Sequence, residues 1–350
     1  MSKPGKKTPR STMPGVNPKK AAKPKARKSA AVRTSSSQKS DPPWSGEIKE
    51  YLNPDFGFFY RAAPPKVRLQ TEFQKLEIVE SEEFGKVLLL DGVTQVVTAN
   101  EWMYHEPMVH PAMLLHPHPE EVVVIGGGDG GMAREVLKHP SVKTLWQVDI
   151  DGAVYEFSAK HLPQVSQGSL HHPKTRRVVQ DGRAFLEAHP GAFDVVLMDM
   201  TDPFGPAKFL YTLEFFEIVR RSFRDPLAGV FAMHAESPIS RPRTFKSILG
   251  TLQKAFQKVS PLHLYMQMYA VQWCVAVASD TFALKDLSVD VVDRRIQERR
   301  LGALQLIEGA TVQAMGVEAP WLRILRAERA KILRDENPDV EDVIHPTGGR

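Results

Sequence analysis

Cysteine is nearly absent from this chain: Cys274 is the only one in 350 residues. An internal disulfide framework and a cysteine-rich zinc site are therefore both excluded. That usage makes a reducing, cytoplasmic compartment the default expectation. No apolar run approaches the roughly 20 residues that a bilayer-spanning helix needs, so the sequence offers no membrane segment. Acid is missing from residues 1–40, which hold 12 Lys and Arg and no Asp or Glu. The rest of the chain carries 34 basic residues against 41 acidic ones. The sequence pI of about 9.1 is thus a property of the tail, and the body is acidic.

Residues 1–43 also lack hydrophobic periodicity, and a segment that cannot bury apolar surface does not recover its ordering entropy. A disordered basic tail is expected there. It lacks the apolar run of a secretory signal, and Pro4, Pro9, Pro14, Pro18 and Pro24 break any amphipathic transit helix. A solvated extension is the first expectation, and weak nucleic-acid contact through its charge is the second.

What is present is organised around Glu121–Gly131, EVVVIGGGDGG. A β-branched apolar run suits a strand buried on both faces, and the glycines turn it toward a helix. Gly126, Gly128 and Gly131 fit the spacing GxGxxG, and Asp149 lies at the distance of a ribose-binding acid, so the first ligand expected is a nucleoside. Asp129 sits inside the turn, where a carboxylate repels a pyrophosphate; the ligand should carry positive charge there.

Before this turn, residues 73–79, 86–90 and 93–97 read as a small antiparallel β unit, followed by a helix over about 100–116. His105, Glu106 and His110 resemble a metalloprotease motif. However, HExxH needs histidines four apart on one helical face, and here the interval is five with Pro107 between, so no metal is expected. Further strands are expected at 144–149, 177–179, 194–198 and 229–233, alternating with helices. That alternation means an α/β, doubly wound, mainly parallel Rossmann-like sheet. A terminal hairpin over 263–278 and a helical stretch from about 290 complete the chain. The expected division is a tail (1–43), an antiparallel β domain with linking helix (44–115), a Rossmann-like catalytic domain (116–285) and a C-terminal helical extension (286–350).

In such sheets ligands bind beyond the carboxyl ends of the strands, where this sequence places Asp129, Asp149, Asp181 and Asp199. Any one acid at a strand end is commonly a helix cap. Four together, with Asp199 and Asp202 flanking a loop stiffened by Pro203 and Pro206, read as a lid over an acidic floor.

Taken in order, LLLDGVTQ (88–95), EWMYHEP (101–107), GGGDGG (126–131), QVDID (147–151), QDG (180–182) and DMTDPFGPA (199–207) resemble the polyamine aminopropyltransferases, the spermidine synthase family, over roughly residues 44–280. The resemblance implies transfer of an aminopropyl group from decarboxylated S-adenosylmethionine, a co-substrate rather than a cofactor, to a polyamine amine. Carried over position by position, it implies that Gln74 and Asp149 hold the nucleoside donor. Asp181 and Gly182 would contact adenine, and Pro206 would close over it. Tyr104, His105, Asp129 and Asp202 would contact the polyamine, and Asp199 would accept the proton. A homodimer or homotetramer is implied as well. The chain reads DMTDP where spermidine synthases commonly read DSSDP, and YMQMYAVQW (265–273) departs from the family on the acceptor side. VDVVDRRIQER (288–298) resembles thermospermine synthases, whereas GGGDGG favours spermidine synthesis; putrescine is the first expected acceptor, with spermidine second. A methyltransferase, an NAD enzyme, a non-catalytic homologue and a DNA-associated protein are the rival readings. The paired Asp199 and Asp202 count against the first three, and the separable tail against the last.

Overall fold

The computed structural model describes residues 44–343, so the expectations for the basic tail and for the last seven residues lie outside the described residues. The chain opens with the hairpin β1 (Gly46–Asn53) and β2 (Phe56–Ala62), which forms a two-stranded sheet. A four-stranded antiparallel sheet follows in sequence order, built from β3 (Val67–Gln70), β4 (Lys75–Ser81), β5 (Gly85–Leu90) and β6 (Val93–Val97). The sequence led us to expect three strands here, and the structure has six in two sheets. The helix α1 (Trp102–Leu115) then runs through Pro107 and Pro111 without ending, because its residues from Tyr104 onward are buried and packing offsets the missing N–H donors.

The main sheet is seven-stranded. β7 (Glu121–Gly126), β8 (Thr144–Asp149), β9 (Thr175–Val179), β10 (Val195–Asp199) and β11 (Val230–His234) are parallel, and β12 (Lys258–Met266) and β13 (Val271–Ser279) form an antiparallel edge. The spatial order is β12-β13-β11-β10-β7-β8-β9. Between β10 and β7 the winding reverses, which is where an open α/β sheet leaves a crevice.

The strands are buried on both faces because they carry unbroken apolar runs. Val122, Val124, Val195, Leu197, Val230 and Ala232 point into one core with Met108, Val109 and Met113 of α1. Val123, Ile125, Val196, Met198, Phe231 and Met233 point into the other. Helices α2 (Gly131–Leu137), α8 (Val289–Glu298) and α9 (Gly309–Met315) share the first core, and α5 (Gly182–Ala188), α6 (Leu213–Ser222), α7 (Pro242–Ala255) and α10 (Pro320–Ala327) share the second. The short α3 (Ala153–His161) and α4 (Pro163–Ser166) pack with the four-stranded sheet. After α7 and the edge strands, residues 299–308 and 328–343 are largely irregular, so the expected helical stretch is three short helices instead. Among the described residues no helix is long and apolar enough to cross a membrane.

Candidate active site

The crevice opens into one cavity of about 580 Å³, and Gln74, Tyr104, His105, Asp129, Asp149, Asp181, Gly182, Asp199, Asp202 and Pro206 all line it. The sheet order sets their sequence in space. Asp181 and Asp149 lie at one end, Asp129 and Asp199 at the middle, and His234 and Trp273 at the other.

At the centre the glycine turn brings β7 against β10. Gly126 has φ +81°, and a Cβ there would collide with the Asp199 carbonyl oxygen, which accepts a hydrogen bond from the Gly127 N–H (3.1 Å). Gly131 has no side chain because the His105 ring occupies that space. Asp129 Oδ1 accepts from the Gly131 N–H at 2.7 Å, a bond within the glycine turn that precedes α2, and lies 3.5 Å from His105 Nε2. His105 Nδ1 is 2.5 Å from Glu101, and Arg134 holds Glu101 with two 2.8 Å bonds. Burial alone would lower the His105 pKa, but Asp129 and Glu101 on its two nitrogens raise it to about 10, so the ring is a cation. His105, Asp129 and Asp199 hold donor atoms within 4.8 Å of one another.

The Tyr104 hydroxyl donates to Asp199 Oδ1 at 2.8 Å. Burial, and then the Asp129 charge, push the Asp199 pKa up to about 6 against the pull of His105 and of Tyr104. An acid so placed is ionised at neutral pH and still ready to take a proton. His110 and Glu106 face elsewhere: His110 bonds Glu135 and His139, and Glu106 accepts the backbone N–H groups of Gln305, Leu306 and Ile307. An interval of five on a helix separates side chains by about 140°.

At the β8 and β9 end, Asp149 ends its strand with Oδ1 accepting from the Asp151 N–H (2.9 Å). Burial raises its pKa to about 7, with the Asp151 and Asp199 charges adding to the rise. Gln74 reaches the cavity with its amide donating to Asp151 Oδ2 (3.0 Å), beside the Thr71 hydroxyl on the same oxygen (2.8 Å). Asp181 is exposed and caps α5, accepting from the Ala184 N–H at 2.8 Å, while Gly182 is buried against Ile125.

At the β11 and β13 end the structure adds residues that the sequence did not single out. Glu50 of β1 lines the cavity, is buried, and accepts from both the backbone N–H and the hydroxyl of Thr94. Burial carries its pKa to about 7 despite those bonds. A signal was present: Ile48, Glu50 and Leu52 alternate, which puts a glutamate on the inner face of a strand. Asp202 is ion-paired with Arg241, which also bonds Glu236. No local pattern marks that pairing in the sequence. Tyr269 and Trp273 line the same end.

Residues 101–287 match the spermine/spermidine synthase domain, and residues 67–97 match the spermidine synthase tetramerisation domain. The chain is 34% identical over 288 residues to the polyamine aminopropyltransferase of Nitrosomonas europaea, covering 82% of this chain and 88% of that protein. It is 36% identical over 271 residues to the polyamine aminopropyltransferase of Sulfurisphaera tokodaii, covering 77% and 89%. The fold matches that of spermidine synthase from Thermotoga maritima with a TM-score of 0.74 at 29% identity, over 81% of this chain and 96% of that one. A spermidine synthase solved in complex with the transition state analogue AdoDATO gives 0.75 at 30% identity, over the same shares. With both the antiparallel unit and the crevice of the parallel sheet inside these matches, the chain belongs to the spermine/spermidine synthase family and is a polyamine aminopropyltransferase.

Proposed function

We propose that the chain moves an aminopropyl group from decarboxylated S-adenosylmethionine to putrescine, giving spermidine and methylthioadenosine, with neither metal nor further cofactor. The observation that carries this reading is Asp199, an ionised but easily protonated carboxylate at the middle of the cavity, fixed by Tyr104. The donor's sulfonium is already a good leaving group, so the protein's task is to align an amine with the propyl carbon and present it unprotonated. An alkylamine with a pKa near 10.4 is mostly protonated at pH 7, at a cost of roughly 4 to 5 kcal/mol. In the step proposed, the amine nitrogen forms a bond to the propyl carbon and the carbon–sulfur bond breaks. Its electron pair stays on sulfur as a neutral thioether, and Asp199 takes the amine proton.

Asp149 and Gln74 would hold the ribose side of the nucleoside, Asp181, Gly182 and Pro206 its adenine, and Asp129 the ammonium of the aminopropyl arm. Tyr104, His105 and Asp202 would border the acceptor, and Glu50 would take its distal ammonium. Glu50 favours a diamine, being a single buried carboxyl beyond Asp199 that is not tied to a cation. Spermidine is the second reading, favoured by Tyr269 and Trp273, which extend the aromatic wall in the segment that departs from the family pattern. A homodimer or homotetramer belongs to the proposal, supported by the match over 67–97 and by exposed Phe59, Leu69 and Phe73 in and beside it. A cytoplasmic setting is supported by the single, buried thiol. Chromatography of the products formed from putrescine and from spermidine, with the decarboxylated donor supplied, tests the reading. Absence of aminopropylated product from either amine would refute it.

A further inference from the structure

The β11 end of the cavity contains an unusual group. Arg241 is 1% exposed and is the bulkiest fully buried side chain among the described residues, yet it forms part of the cavity wall. Its Nη1 donates to Asp202 and to both oxygens of Glu236 (3.1 and 3.0 Å), and its Nε donates to the Leu52 carbonyl (2.9 Å). Glu236 is fully buried and is not itself part of the wall. It also holds φ at +67°, a left-handed backbone that a glutamate adopts only when its surroundings enforce it. Burying a guanidinium is costly unless a carboxylate answers it; Asp202 does, with Glu236 hydrogen-bonded beside it.

The charges at this end can be counted. Asp202 is half-buried, and its desolvation alone would raise its pKa, yet Arg241 pulls it below the usual carboxylate range. Glu236 moves the other way, pushed up to about 8 by burial and by the neighbouring Asp202 in spite of Arg241. The three together are close to neutral at pH 7. That leaves Glu50 as the carboxyl at this end able to answer an incoming cation. A diamine whose first nitrogen is held at Asp199 has one ammonium left, and Glu50 serves it. A triamine has two left, and its second would need Asp202, the other acid on that wall, whose charge is already matched by Arg241.

We propose that Arg241 determines acceptor specificity: its guanidinium fills, from within the chain, the second cation position that a triamine would require, and so confines the acceptor to a diamine. The inference rests on the aminopropyl transfer proposed above and adds what selects the amine. The alternative role for Arg241 is purely structural, tying the lid, the turn after β11 and the first hairpin together. That role would lower turnover for all acceptors alike, so the ratio between acceptors is the informative quantity.

The test compares kcat/KM for putrescine and for spermidine, with saturating decarboxylated donor, in the full chain and in Arg241→Met and Arg241→Lys. Methionine fits an apolar, buried stem while removing the charge, and lysine keeps the charge. Loss of the internal cation should raise the spermidine-to-putrescine ratio by about tenfold or more, the worth of one modest ion pair. Arg241→Lys should stay near the wild-type ratio, and the KM for the donor should not move in either variant. A folded Arg241→Met with the wild-type ratio overturns the inference while leaving the aminopropyl transfer intact, whereas a wild type that aminopropylates neither amine refutes the transfer itself. Should Arg241→Met fail to fold, calorimetric titration of both amines into the wild type with methylthioadenosine bound decides. A putrescine preference of about tenfold supports the role of Arg241, and equal affinities overturn it.

Discussion

Replacing Asp199 by asparagine should make the protein more stable and nearly inactive at once. The carboxyl is half-buried, its ordinary pKa of 3.8 is raised to about 6 by desolvation and then by Asp129, and Tyr104 donates to its Oδ1. A group raised in the native state is protonated more readily there than in the unfolded chain. Its contribution to stability is therefore fully present below pH 3.8 and is lost as pH rises through about 6. At pH 8 the ionised carboxylate costs about 3 kcal/mol, from about 1.4 kcal/mol for each pH unit between the two values. Asparagine is neutral at every pH and still accepts from Tyr104 through its amide oxygen. Thermal unfolding should then show a gain on the order of 5 °C at pH 8 that shrinks to near nothing by pH 4. Turnover should fall by about 10² or more, because an amide cannot accept the amine proton, and wild-type kcat itself should rise through a pH near 6. An asparagine variant that is equally or less stable at pH 8, or that keeps near wild-type turnover, would refute the reasoning.

Three further outcomes are expected. His105→Gln removes the cation that pulls Asp199 downward, so the acidic limb of the kcat–pH curve should move up by on the order of one pH unit; an unmoved limb would separate His105 from the base. Asp129→Asn keeps the bond from the Gly131 N–H, so the fold should hold. The preference for the decarboxylated donor over S-adenosylmethionine should narrow by about tenfold or more in calorimetry, since a donor carboxylate at ~4 Å would no longer meet a charge worth roughly 4 kcal/mol at an effective dielectric near 20. A chain beginning at Asp41 should keep full turnover, because every described residue lining the cavity is numbered 50 or higher, and loss of most activity would show that the tail contributes to the site.

The parts of this site that the sequence displays are those in which a local pattern carries the chemistry. The buried strand runs, the glycine turn and the acids at the strand ends each announce themselves within about ten residues, and each is where it was expected. The first hairpin was passed over although Ile48, Glu50 and Leu52 alternate, because Glu50 interrupts the inner face and makes the alternation of β1 read as polar. The Arg241 group was not legible for a different reason. Asp202 and Arg241 are 39 residues apart and meet only because β10 and β11 are neighbours in the sheet. Local reading also could not weigh what each acid does, since a cap and a ligand-binding carboxylate look alike until their partners are seen.

That distinction is now visible in the oxygen atoms. Asp181 spends Oδ1 on the Ala184 N–H, Asp129 spends Oδ1 on the Gly131 N–H with His105 beside it, and Asp202 is matched by Arg241. Asp149, Asp199 and Glu50 are different: burial carries each well above the ordinary carboxyl range, and among the described residues no cation is bonded to any of them. A desolvated carboxyl to which no cation is bonded is a standing cost to the fold, one that a ligand able to answer it would offset. The three are spread along the cavity, Asp149 at the β8 end, Asp199 at the centre, and Glu50 beside Asp202 and Arg241 at the other end. That order matches the three demands of aminopropyl transfer: hydroxyl donors of a ribose, a proton leaving an amine, and a distal ammonium. Each would lower the pKa of the acid it meets by donating to its charged form or by opposing that charge. On the function proposed above, the acids that burial raises and no cation bonds would mark the substrates' path more closely than those that sequence motifs alone pick out.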